Sequence, residues 1–161
     1  MSNAESTPPK STEEAPPVPR LLIDADVLVA GAFSRTGASH LILRLGEFSI
    51  LQCVAPVQVR EEAERNIRYK LPEAVHTFRT LVDHALEIFP DLSVDDVDRF
   101  ANQAHPEDVS ILASAVLNNC QYLITFNTRH YYPDKSLGLT IITPGKFIER
   151  LRFAVSALVS T

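Results

Sequence analysis

Two aspartates close the first apolar run of the chain. Leu21-Leu22-Ile23 leads into Asp24-Ala25-Asp26, and Val27-Leu28-Val29-Ala30 follows at once. A carboxylate set between apolar runs is costly unless hydrogen-bond donors or a cation compensate it. Asp24 therefore reads either as the cap of a following helix, with Asp26 an exposed turn residue, or as a metal ligand. Three more acids, Glu61, Glu62 and Glu64, crowd the start of a helical stretch, where acids suit the helix dipole whether or not they do chemistry. The run does not say which of the three would be a ligand. Asp108 follows His105-Pro106-Glu107 and precedes a small, apolar helix face that includes Ala113 and Ala115. Glu107 fills the first-turn role better, which leaves Asp108 available for chemistry. Thr125 and Asn127 follow an apolar run, with Arg129 and His130 next; their alternative is a turn and a solvated surface loop.

The elements that must position these residues alternate. Short apolar runs at Leu21–Ile23, Ser49–Ala55, Leu86–Phe89, Tyr122–Thr125 and Leu139–Thr143 have the character of buried parallel strands. Between them, helical spacing is expected over Ala38–Leu45, Pro56–Tyr69, Pro72–His84 and Pro106–Asn118, and after them over Pro144–Leu158. Four of these open on proline, which suits a first helical turn. Strands alternating with helices predict an α/β fold, with a mostly parallel central sheet covered on both faces. Ligands of such sheets bind beyond the carboxyl ends of the strands, near the point where strand order reverses. Asp24/Asp26 and Thr125/Asn127 both fall just after apolar strand runs.

Composition sets the bounds. At 161 residues and 45% hydrophobic, the chain suits one domain with a real core. Residues 1–19 hold five of the eleven prolines and are expected to form a flexible tail, with a single domain over 20–161. Two cysteines, Cys53 and Cys120, without a CxxC pair, argue against a disulfide scaffold or a zinc site and suit a reducing cytoplasm. No apolar run is long enough for a membrane span, and no signal peptide is expected. Fifteen Lys and Arg against twenty Asp and Glu give −5, which excludes a simple electrostatic nucleic-acid coat. It leaves open a metal site built from carboxylates.

Taken in order, these segments resemble the PIN-domain family of metal-dependent ribonucleases, some of which are VapC-like toxins of toxin–antitoxin pairs. Leu22-Ile23-Asp24-Ala25-Asp26-Val27-Leu28-Val29 is similar to that family's opening strand, and Pro56-Val57-Gln58-Val59-Arg60-Glu61 to its second motif. Asp108 with Ala113 and Ala115 resembles the third motif, and Tyr122-Leu123-Ile124-Thr125-Phe126-Asn127 the fourth. Ile141–Ile148 resembles the closing strand and helix, so the likeness spans roughly 21–152. It implies a three-layer α/β/α sandwich and hydrolysis of RNA phosphodiester bonds at a site binding Mg²⁺ or Mn²⁺. Asp24, Glu61 and Asp108 would be catalytic metal ligands and Asn127 a further ligand. Asp26 and Thr125 would be auxiliary, and Arg129 and His130 would contact substrate phosphate. RNA, an antitoxin protein and a second copy of the chain are the partners implied. The chain departs from the pattern at Asp26, where an asparagine is usual, and at Asn127, where a fourth acid is common.

Two other readings compete. Asp24-Ala25-Asp26 also suits a haloacid-dehalogenase-type phosphatase, but Leu28, the absence of a fitting lysine and the absence of a late aspartate pair weigh against it. A catalytically silent PIN-like interaction module would explain Asn127 and the apolar stretch Phe153–Val159.

Overall fold

The computed structural model describes residues 17–160. Its strands are β1 (Arg20–Ile23), β2 (Gln52–Pro56), β3 (Leu86–Phe89), β4 (Tyr122–Ile124) and β5 (Thr140–Ile142). Its helices are α1 (Ala25–Phe33), α2 (Ala38–Glu47), α3 (Val57–Lys70), α4 (Val75–Ala85), α5 (Val94–Asp98), α6 (Val109–Leu117) and α7 (Pro144–Val159). The strands form one sheet in the order β3-β2-β1-β4-β5. Every pairing in it is parallel, with Leu22 opposite Val54 on one side and Leu123 on the other.

That order explains the apolar runs. β1 lies at the centre, covered on both faces, and Leu21, Leu22 and Ile23 are fully buried, as are Leu123 and Ile124 of neighbouring β4. Helices α1 to α4 pack on one another, and α7 joins α2. The path from β3 returns across the sheet to β4, so a right-handed crossover carries α5 and α6 to the opposite face. The result is the expected three-layer α/β/α sandwich. α2 meets β2 and the end of α4 closely at Gly46. A Cβ there would stand 2.7 Å from the Ala85 carbonyl oxygen and 2.9 Å from Cys53 Sγ.

Several boundaries differ from expectation for local reasons. Ser49 takes a left-handed conformation (φ 58°), and the N–H groups of Ile50 and Leu51 both turn back to Leu45 O. β2 therefore starts at Gln52 rather than Ser49. Pro56 caps α3 instead of opening its first turn. Pro72 begins a short 3₁₀ turn (Pro72–Ala74), and α4 follows from Val75. Residues 105–108 form a turn closed by Asp108 N–H donating to His105 O at 2.8 Å, so α6 begins at Val109 with Asp108 as its N-cap. α5 was not anticipated; Ser93 Oγ accepts the Asp96 N–H at its start. Most of the proline-rich stretch 1–19 lies outside the described residues. At its end, Pro19 O accepts the Gln52 N–H.

Candidate active site

The strand order reverses between β1, which leads to β2, and β4, which β3 reaches by crossing the sheet. Just beyond the carboxyl ends of these two neighbours stand Asp24 and Thr125. The Asp24 N–H donates to Ile124 O and the Thr125 N–H to Ile142 O, so three strand ends are tied at this point.

Asp24 is only 8% exposed, and its carboxylate is held on every side. Oδ1 accepts the Ala25 N–H at 2.8 Å, which makes the residue the N-cap of α1. Oδ2 accepts Thr125 Oγ1 at 2.9 Å and the Tyr131 hydroxyl at 3.1 Å. The cap expected of Asp24 is therefore present, while its second oxygen faces the Thr125 and Tyr131 hydroxyls at the strand ends. Burial raises its proton affinity above the ordinary carboxylate range; the Thr125, Ala25 and Tyr131 hydrogen bonds oppose this, and the nearby Asp108 adds to it.

Asp26 sits in the first turn of α1, half-buried. Its Oδ2 accepts the Phe126 N–H at 3.3 Å and Asn127 Nδ2 at 3.4 Å, while Oδ1 is buried without a hydrogen-bond partner. Burial, then the Asp24 charge, pushes its carboxyl up to about 6, and Glu62 contributes in the same direction.

Glu62 rather than Glu61 is the acid of α3 that this cluster feels. α3 buries Val59, Ala63 and Ile67, so at about 100° per residue Glu61 faces away from the core while Glu62 falls on one flank, within reach of the charges of Asp24 and Asp108. Its proton affinity is raised first by partial desolvation and then by Asp24 and Asp108, against an opposing pull from Arg65. Glu61 turns the other way. It borders a concavity of about 380 Å³ with Arg60, Glu64, Arg65 and Arg68, away from the aspartates. Glu64 is engaged by Arg68 and Arg79, which hold its carboxyl below the usual range.

Asp108 approaches from the opposite layer. Half-buried at the start of α6, it makes no side-chain capping bond, and its Oδ2 instead meets His130 Nδ1 at 2.9 Å. His130 in turn lies against the His105 ring, centroids 5.3 Å apart. Ser110 Oγ donates to Gln58 Oε1, which joins α6 to α3 beside the acids. Asn127 is exposed; besides its bond to Asp26, its N–H donates to Thr125 Oγ1. Arg129 is exposed in the 3₁₀ turn Thr128–His130.

Of the residues expected from sequence, Asp24, Asp26, Asp108, Thr125, Asn127 and His130 thus come together, Arg129 lies at the rim, and Glu61 lies apart. Tyr131 was missed. Burial and the surrounding aspartates push its phenol far above the usual range, so it stays protonated and donates to Asp24. Nothing in Tyr131-Tyr132 marked one tyrosine as inward. The Val59-Ala63-Ile67 ladder turns Glu61 away from the core and puts Glu62 and Glu64 on its two flanks, so it could have set Glu61 aside without choosing between the other two.

Among the described residues, no three His, Cys, Asp or Glu side chains are gathered closely enough to hold a metal ion as they stand. Asp24 and Asp108 are folded onto internal donors instead. The donor chemistry nonetheless fits a hard divalent cation: the groups are oxygen ligands, burial and the neighbouring Asp24 raise the proton affinity of Asp26 and Glu62, and Asp26 Oδ1 is buried and unsatisfied.

A family model described as PIN domain matches residues 20–129. A comparison with curated proteins found no match. Among solved structures, VapBC2 from Rickettsia felis, bound to a DNA fragment from its promoter, is similar with a TM-score of 0.57 at 14% identity. The alignment covers 76% of this chain and 98% of that one. The Mycobacterium tuberculosis toxin VapC20, described as cleaving the sarcin-ricin loop, aligns more loosely: TM-score 0.47, 11% identity, 73% of this chain and 92% of that one. At 14% identity the likeness to the Rickettsia felis structure concerns the fold alone.

Proposed function

The chain belongs to the PIN-domain family, and on that premise we propose that it is a divalent-metal-dependent endoribonuclease hydrolysing RNA phosphodiester bonds. The observation that carries this reading is the placing of Asp24, Asp26, Glu62 and Asp108 about the switch point of a parallel sheet, where burial and the neighbouring carboxylates raise the proton affinity of Asp24, Asp26 and Glu62.

Asp24, Glu62 and Asp108 would hold Mg²⁺ or Mn²⁺, with Glu62 taking the place that the sequence motif suggested for Glu61. Asp26 and Asn127 would supply further oxygens or hold a water. A bound cation supplies charge for the scissile phosphate and acidifies an attacking water. The chain's own residues do the rest. Thr125 and Tyr131 fix the Asp24 carboxylate, and the Phe126 N–H and Asn127 amide fix that of Asp26. His130 orients Asp108 and, with Arg129, faces solvent where a phosphate would arrive. Because the site is acidic, RNA affinity without the cation is poor.

We place the active domain at 20–161, in the cytoplasm, as the toxin of a toxin–antitoxin pair. No helix among the described residues is long and apolar enough to cross a membrane. Along the outer turns of α7, Phe153 (79% exposed), Val155 and Val159 are exposed apolar side chains spread around the helix, which supports a protein partner: an antitoxin or a second copy. The same side chains favour the second reading, a silent interaction module.

The deciding experiment is cleavage of a mixed single-stranded RNA pool with Mn²⁺ and with EDTA, by wild type, Asp24→Asn and Asp108→Asn. Metal-dependent cutting lost in both variants is expected. No cutting together with no calorimetric Mn²⁺ binding sinks the nuclease and leaves the module.

A further inference from the structure

The segment after β4 has two faces. Thr125 is fully buried and Tyr131 nearly so, and both donate inward to Asp24. Phe126 and Tyr132 point outward, 50% and 56% exposed, with Arg129 and His130 also exposed between them. The backbone beneath each ring is pinned. The Phe126 N–H donates to Asp26 Oδ2, which sets that residue at the rim of the carboxylate cluster. The Tyr132 N–H donates to Gln103 O at 2.9 Å, beside the antiparallel bridge of Tyr131 with Ala104.

A large ring half in water forgoes part of its burial free energy, and here two do so on one segment fixed beside an acidic site. The carboxylates repel a polyanion, so affinity at this edge must come from uncharged contacts, from Arg129 and from a cation. Unpaired nucleobases supply the uncharged contact, since every base offers a flat face to an aromatic ring. A duplex hides those faces within its stack.

We propose that Phe126 and Tyr132 are substrate-binding residues on whose rings unpaired RNA bases stack, while Arg129 meets the intervening phosphate. The proposal rests on the ribonuclease reading above. Stacking of this kind tolerates sequence, so the two rings favour strandedness over base identity.

The test is steady-state cleavage of single-stranded RNA with Mn²⁺ by wild type, Phe126→Leu, Phe126→Trp and Tyr132→Leu, with thermal melts to verify folding. Each leucine variant is expected to raise KM about fivefold or more, the equivalent of one lost stack, with kcat nearly unchanged. Phe126→Trp restores the wild-type KM. An abasic nucleotide at the stacked position removes the difference between wild type and Phe126→Leu. Unchanged KM in folded leucine variants overturns the proposal, with the nuclease intact. A wild type that neither cleaves nor binds RNA overturns both.

Discussion

Glu61 and Glu62 are separated by about 100° around α3, and that rotation decides which carboxylate the aspartates feel. Glu62→Gln is expected to lower metal-dependent cleavage by more than the roughly 10- to 100-fold that losing a ligand's hydrogen-bond partner costs. Glu61→Gln should leave it within about twofold of wild type, given its distance from the cluster. Parallel initial-rate assays separate the two. Tyr131→Phe removes one donor to Asp24 and should fall in that 10- to 100-fold range. Asp26 gives a signature in stability. Its carboxyl is raised from 3.8 to about 6 in the folded chain, so the fold binds its proton more tightly than the unfolded chain does. Without metal, stability from this group is therefore lost as pH rises from about 4 to about 6, and the penalty is complete above that. Asp26→Asn should melt higher than wild type at pH 7 in EDTA, with the difference vanishing near pH 4. At this scale the sequence was informative where a residue's neighbours in the chain set its environment. Asp24 between two apolar runs is the clearest case. It was silent about Tyr131, whose partner lies 107 positions away.

Elements were legible wherever burial imposed periodicity. The apolar runs of β1, β3 and β4, and the spacing of α2 and α7, were read nearly in place because packing on the sheet demands them. The misread boundaries have one cause: proline and turn residues fit several local geometries, and distant contacts choose among them. Pro106 leads a turn rather than a helix because Asp108 N–H closes onto His105 O. α5, a five-residue helix with no buried residue, carries no apolar pattern to detect. The seam between α2 and β2 offers a test of packing. Gly46→Ala would press a methyl group against the Ala85 carbonyl and Cys53 Sγ, backbone and core that cannot easily yield. A loss of about 1–3 kcal/mol is expected, seen as a fall in Tm of roughly 3–10 °C, with the cleavage rate of the folded protein unchanged.

For the whole molecule, the acids are a local electrostatic cost that a bound cation would relieve. Mn²⁺ at about a hundredfold excess over its Kd should add roughly 2.7 kcal/mol, or about 5–10 °C in Tm, at pH 7. Asp24→Asn should lose most of that shift; an equal shift in both proteins would place the cation elsewhere. The sheet order has a further consequence, for the chain as it is made. β1 is translated first among the strands yet stays unpaired along one edge until β4 emerges a hundred residues later, and Asp24 lacks its Thr125 and Tyr131 donors until the same point. Ribosome-bound chains arrested before Tyr122 should therefore be inactive toward RNA even with Asp24, Asp26, Glu62 and Asp108 already synthesised, and activity should appear only once Tyr131 clears the exit tunnel. If the chain is the ribonuclease proposed, one made beside the cell's most abundant RNA, its fold would act as a delay on its own activity.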